Sequence, residues 1–464
     1  MSLPAGRRST RRRIVRGLPG SDRHGARQAP APHRDLRSRA GLPDLTGAGR
    51  FVTAHAVDSL GTGLLFAFTV VYLAHTTRLP LADIGAALTL GNLLALPAPA
   101  LGAILLDRHG PKVVVATANL VCAAGFTLFL VIRSAWQISL AYLVVQAGIN
   151  LYWTAARMLV PLAAAPGEER LWFGFISSLR NIGIGAGAAV SAVALALFGP
   201  GSLHVFIAAN AGTFLCAAVL FLTWKPARST WKPARSPSPP DVPGPPKDAA
   251  TPVRRSSWAS VLRDGRYLLL VAANLAFVLA QMVPPVLLAV YVTDILRAGT
   301  WLPGALLVVN TAAVATLTPA LTRRSARHRP QRAIAAGFLV AAFSFALFAA
   351  PLAWHRAPTW IAATLLVTAM LLFTLSEILN SPALNELSVT LAPAQAGGRH
   401  QAAFQLSWSV GGAAAPVVLT SLLGREPLLP WLLLAVLSLT AALLTRALTA
   451  PARPDTYGPE EPAP

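Results

Sequence analysis

The chain has 464 residues, 54% of them hydrophobic and 12% charged, with mean hydropathy +0.56. Soluble domains carry about 25% charged residues, so an ordinary water-soluble domain is excluded and an integral membrane protein is implied. The net charge of +21 does not point to nucleic acid, because 35 of the 39 basic residues are arginine and many fall in two unpatterned segments.

Residues 1–49 are rich in Arg, Pro, Gly and Ser and lack apolar periodicity, which predicts a disordered basic tail. The stretch "RRSTRRRIVRG" has no apolar core close behind it, so it is not read as an export signal. Apolar runs of about 20 residues then recur, each long enough to cross a 30 Å hydrocarbon core as a helix. The runs are 51–74, 82–105, 113–133, 136–161, 171–197 and 203–223, then 267–293, 301–321, 332–351, 359–389, 400–422 and 427–447. Between the two sets lies 225–266, a Pro- and Ser-rich linker around which "TWKPARS" occurs twice in tandem, at 223–229 and 230–236. The expected organisation is a tail (1–49), a six-helix bundle (50–224), a linker (225–266), a second six-helix bundle (267–448) and a short tail (449–464). Cys122 and Cys216 lie inside apolar runs, without disulfide or metal spacing. No metal and no cofactor are expected.

Loop charges orient the helices. With both termini on the cytoplasmic side, and the long tail and linker set aside, the inner segments hold eleven basic residues and the outer loops five. The expectation is therefore a multi-pass protein of a bacterial cytoplasmic membrane, both termini inside, partnered by the lipid bilayer and acting as a monomer.

An internal repeat is visible. "PALGAILLDRHGPKVVVA" (99–116) follows the second run and "PALTRRSARHRPQRAIAA" (319–336) follows the eighth, with Ala326 where the first copy has Asp107. A second echo aligns 163–187 with 390–416, placing Arg170 on Arg399, Phe175 on Phe404, Ser178 on Ser407 and Gly183 on Gly412. Duplicated six-helix units build a substrate path between the halves.

The stretch "GAILLDRHGPK" resembles the loop motif of the major facilitator superfamily, with Gly102, Asp107, Arg108, Gly110 and Lys112 in place and Pro111 at a usually basic position. Gly174, Gly183 and Gly187 match part of the fifth-helix glycine pattern of its drug/proton antiporter branch. That branch's proline is replaced by Ala188 and its last glycines by Ser191 and Ala192. In the fourth helix Gln146 fits, but Leu143 stands where the branch has arginine. The resemblance implies an all-α membrane fold of two pseudo-symmetric six-helix bundles. It also implies that the loop acid caps or pairs across the halves as a latch, while the loop's basic residues meet lipid head groups and the cytoplasmic rim.

Ionisable residues within a span cost about 2.5–3.5 kcal/mol on insertion scales, so each needs a reason. Asp58, Arg157 and Arg180 fall at one depth, either as an ion-pair network or as a transport switch. Glu377 lies deeper, with Asn150 as its partner in the first half. Gln146, Tyr152, Trp153 and Asn310 are candidate lining. Asp58 is expected to be structural and Glu377 the proton or cation site. The functional expectation is a secondary transporter that exports small organic or drug-like molecules by alternating access, driven by the proton gradient. A facilitator or importer of a polar metabolite is the alternative. A membrane-embedded enzyme or sensor is disfavoured, because the sequence holds no H-E-x-x-H, G-x-S-x-G or P-loop pattern.

Overall fold

A computed structural model describes residues 42–66, 69–199, 201–226, 258–299, 301–353, 359–393, 397–446 and 448. Most of the expected basic tail, most of the linker with its tandem "TWKPARS", and nearly all of 449–464 lie outside those residues. Among the described residues every regular element is helical.

The spans are α1 (Gly49–Phe66 and Thr69–Thr77), α2 (Leu81–Leu94, then the first part of Ala98–Phe129), and α3 (the rest of Ala98–Phe129). They continue with α4 (Ala135–Ala156), α5 (Glu169–Phe198) and α6 (Ser202–Thr223). A short helix, Trp258–Arg263, leads into α7, which starts as Gly265–Gln281. After it come α8 (Leu302–Ser325), α9 (Pro330–Ala353), α10 (Thr359–Thr390), α11 (Gly397–Arg425) and α12 (Leu429–Arg446). Ten described stretches are long and apolar enough to cross a membrane. One of them, Asp83–Phe129, is 47 residues long, about 70 Å as a helix and twice what one crossing needs. It breaks at Gly110 and supplies both α2 and α3; with α1 the spans among the described residues number twelve.

Local chemistry sets the breaks. Gly110 has φ 79° and ψ 165°, a conformation open to glycine, and Pro111 follows it. In α4, Pro161 has no N–H to give to the carbonyl of Arg157. The Val160 N–H takes that carbonyl instead, and the helix tightens over Arg157–Leu159 before Val160–Ala163. In α7, Pro284 and Pro285 remove two donors, and the helix widens over Val283–Leu287 and again over Tyr291–Ile295.

Two bundles result. In the first, α1 packs on α5 and α6, and α4 packs on α2 and α3; in the second, α9 packs on α10 and α12, and α7 on α11. The buried members of each apolar cluster come from one half alone. The halves repeat in detail. The Tyr72 hydroxyl donates to the Phe129 carbonyl at 2.9 Å, and the Tyr291 hydroxyl donates to the Phe348 carbonyl. Arg78 and Arg297 end α1 and α7 with φ of 56° and 50°. All three pairs of positions are separated by the same interval along the chain.

The halves meet along α2–α11 and α5–α8, which are the same pair under the repeat, and also along α4–α11 and α5–α10. One expected equivalence needs correction. The sequence alignment sets Gly183 on Gly412, but a Cβ on Gly183 would strike Ser59 of α1, and one on Gly412 would meet nothing within 4 Å. Gly411 is the counterpart: its Cβ would strike Val278 of α7, which stands to Ser59 as Tyr291 stands to Tyr72. The alignment slips by one position because small residues surround both glycines.

Candidate functional site

The end of the bundle that carries the start of α1 and the Gly110 break is closed by bonds between the halves. Asp107, at the foot of α2, accepts the backbone N–H of Gly398 from α11 at 3.1 Å through Oδ1. A Cβ on Gly398 would strike the same carboxylate, so glycine is what admits it. At the pseudo-equivalent joint, Arg170 at the start of α5 reaches the end of α8. It donates to the carbonyls of Ser325 (2.7 Å) and His328 (2.9 Å) and pairs with Glu386 of α10. Carbonyls at a helix C-terminus carry partial negative charge, so the arginine finds there what Ala326 no longer supplies.

The other loop residues divide. Gly102 is buried where α2 meets α4; a Cβ there would stand 3.4 Å from Thr154, an ordinary contact. Arg108 is exposed. Lys112 meets the end of α6: its Nζ donates to the Trp224 carbonyl at 2.7 Å, and Arg50 donates to Thr223 O at 2.7 Å. The two cations cap α6, whose last carbonyls have no helical partner.

At mid-depth Arg180 of α5 pairs with Asp58 of α1 through Nη1, which also reaches the Tyr152 hydroxyl at 3.4 Å. Its guanidinium lies over the Trp153 ring, 4.9 Å from the centroid. Gly183 and Gly187 make this possible. Their Cβ atoms would strike Ser59 and the Leu60 carbonyl, so α1 and α5 pack backbone to backbone. Gly174 does the same for α5 against Thr322 of α8.

Arg157 shares this depth but not the network. It turns to the second half, donating to Asn385 Oδ1 and Gln405 Oε1, both at 2.9 Å, and to its own turn at Trp153 O. The expected trio is therefore one ion pair plus one arginine held by neutral acceptors. Asn150 also serves the joint between halves, accepting from Ser409 at 3.1 Å and donating to Ala95 O at 3.3 Å.

Glu377 accepts from Asn310 Nδ2 at 3.3 Å, with Gln281 as a second donor, and Asn310 also donates to Thr374 at 2.9 Å. Among the described residues no arginine or lysine pairs with it.

Two cavities flank the Arg180–Trp153 contact. The outer one, of about 360 Å³, lies within the first half and is lined by Asp58, Gln146, Tyr152, Trp153, Arg180 and the α3 and α6 aromatics Phe126 and Phe214. The inner one, of about 230 Å³, lies between the halves, bounded by α1, α4, α5 and Ser381 and Asn385 of α10. Asn310, Asn150 and Glu377 line neither. Among the described residues no three His, Cys, Asp or Glu side chains come together as a metal site.

Sequence reasoning missed His55, Glu386, Asn385 and Gln405. His55 is buried and meets the Tyr152 hydroxyl through Nδ1 at 3.0 Å. Its spacing of three from Asp58 was the available signal, since that puts both on one helix face. Glu386 sits in the last turns of its span, where an acid passes for a solvated helix end.

The Major Facilitator Superfamily model matches residues 51–416. The chain belongs to that superfamily. It is a multi-pass membrane transporter and not an enzyme. Multidrug resistance protein MdtH of Klebsiella pneumoniae (strain 342) is 24% identical over 361 residues, 76% of this chain and 82% of that one. The human organic anion transporter MFSD10 superposes with a TM-score of 0.60 at 16% identity, over 85% of this chain and 99% of that one. The Escherichia coli fucose:proton symporter FucP superposes with a TM-score of 0.62 at 15% identity, over 87% and 98%. These likenesses to solved structures speak for the fold alone.

Proposed function

We propose that this transporter is a proton-driven exporter of small organic, drug-like molecules, with both termini on the cytoplasmic side of a bacterial cytoplasmic membrane. The observation that carries this reading is the asymmetry of the pathway. Bonds between the halves shut the end with the Asp107 and Arg170 joints, while a cavity with polar and aromatic walls stands above them. The basic loop residues favour the cytoplasm for the shut end, and with that end shut a cargo in the cavity can leave only outward, as export requires. The sequence relationship to multidrug resistance proteins supports the export direction.

Alternating access follows from the two kinds of contact. The bonds that close the inner end are few and polar, whereas each half keeps its own apolar core, so the halves can rock as units. Glu377 is assigned as the coupling carboxylate: it is held by amides, and no cation among the described residues pairs with it. Asp58 is assigned a structural role, because Arg180 holds it as an ion pair.

The test is transport in inside-out vesicles with an imposed pH gradient. Accumulation of lipophilic dyes that requires the gradient and collapses with a protonophore is the expected result. Equilibration of substrate without any gradient indicates a facilitator and overturns proton-driven export.

A further inference from the structure

The inner cavity is built differently from the outer one. Its wall includes Arg157, Arg180 and His55, with Ser177, Asn181, Ser381 and Asn385 as neutral polar neighbours, and among the described residues it contains no aspartate or glutamate. Arg180 has a counter-charge, Asp58, which lines the outer cavity and not this one. Arg157 has none among the described residues: its bonds go to two amide oxygens and one carbonyl. The groups around the two cavities therefore sum to one uncompensated positive charge, and Arg157 is 5% exposed. A buried charge without a partner is costly.

Donors remain as well. A guanidinium has five N–H groups, and Arg157 uses three of them. Arg180 spends only Nη1, on Asp58 and Tyr152. His55 is buried, and its Nε2 has no hydrogen-bond partner. Arg157 and Arg180 lie 5.8 Å and 4.9 Å from the centroid of the same Trp153 ring. Both guanidiniums thus border one indole, and both line the same cavity.

We propose that the inner cavity is a binding subsite for a small organic anion, a carboxylate attached to an aromatic body, held between Arg157 and Arg180 with its ring against Trp153. The planar forks of the two arginines match a carboxylate, and one monovalent anion supplies the missing charge. Arg157 bonds to α10 and α11 while its backbone belongs to α4. An anion at this point therefore touches both halves and reports on how they are joined. This assignment rests on the transporter reading above and names the substrate class of the same pathway.

The experiment uses the full chain in lipid nanodiscs, without a gradient, so its outcome does not depend on coupling. Sodium benzoate is titrated by calorimetry against benzylamine, sodium phosphate and sodium chloride. Saturable benzoate binding is expected, with benzylamine at least tenfold weaker. Arg157→Gln should weaken benzoate at least tenfold. Because that change also removes bonds between the halves, Ser177→Asp and Ser381→Asp serve as independent variants. Each adds a carboxylate to the cavity wall from α5 or α10 without touching the Arg157 bonds, and each should abolish benzoate binding in protein that still elutes as a single folded species. Benzoate binding that is absent in the wild type, or unchanged in both serine variants, overturns the subsite. So does benzoate displaced equally well by chloride or phosphate, which reduces the cavity to an inorganic-ion site. Gradient-driven dye export without benzoate binding sinks this inference alone. Benzoate binding without gradient-driven transport sinks the exporter reading alone.

Discussion

The two halves have one architecture and opposite habits with charge. The first half pairs its mid-membrane acid: Asp58 has Arg180, and a second arginine, Arg157, stands nearby without an acid. The second half leaves its acid, Glu377, among amides. At the closed end the pattern is crossed. The acid of the first half, Asp107, takes a backbone N–H from α11. In the second half that acid is gone, and the gap is met from the other side by Arg170, which takes the terminal carbonyls of α8 and adds Glu386. A duplicated unit thus keeps its backbone joints while exchanging which partner brings the charge. Packing constrains a helix pair along its whole length, whereas a hydrogen bond needs only one donor and one acceptor in reach.

The crossed joints make the sharpest test. Arg170→Ala should have the largest effect, because it removes the bonds to both α8 carbonyls and takes the cation from half-buried Glu386, a combined loss of about 3 kcal/mol or more. The closed inner end should lose more than 100-fold in population, seen as a broadened spin-label distance between Arg108 and Arg324 sites. Arg170→Met combined with Glu386→Met should restore melting stability more fully than closure, since an apolar pair packs but cannot bind the α8 carbonyls. A single variant that keeps the wild-type distance distribution breaks the comparison.

Next come the two mid-membrane acids. Glu377→Gln should remove the dependence of transport on the pH gradient, about tenfold or more at the steepest gradient, and leave the protein folded. Asp58→Asn should instead lower stability, because Arg180 loses its counter-charge. If Glu377→Gln transports like the wild type and Asp58→Asn alone uncouples, the roles are reversed.

The glycines give a smaller effect. Gly183→Ala and Gly411→Ala should each cost about 1–3 kcal/mol by forcing α1 from α5 and α7 from α11. Gly412→Ala, with open space around it, should be neutral or slightly stabilising. Thermal unfolding in one detergent ranks the three, and a destabilised Gly412→Ala would restore the sequence alignment over the structural one.

Asp107→Asn should be mildest. The amide oxygen can still accept from Gly398, so what goes is the charge-assisted part of that hydrogen bond, about 1 kcal/mol, together with the attraction to Arg399. Turnover should fall about fivefold while substrate affinity stays put. Unchanged turnover in correctly inserted protein would show that Arg170 alone holds the gate.

Much of this was legible along the chain. The length of the apolar runs and the close recurrence of loop residues marked the spans and the duplication. A third echo was also there to be read, Tyr72 and Arg78 against Tyr291 and Arg297, each pair set apart by one common interval. The pairing of Asp58 with Arg180 was one of two readings their common depth allowed. The turn of Arg157 toward the other half was not visible, nor was Glu386 as the partner of Arg170.

The sequence by itself determined the number of crossings, the repeat, the breaks at Gly110 and Pro161, and which few polar residues stand inside the membrane. Those properties are local: bilayer thickness fixes run length, and glycine and proline act on their own backbone. Only the tertiary structure decided which of those residues meet. Asn385 and Gln405 lie 228 and 248 positions from Arg157, and no spacing rule spans that distance. It decided too that one cavity holds an acid and the other none. A cavity's charge belongs to the walls that fold around it, and the walls of the inner cavity are drawn from helices of both halves.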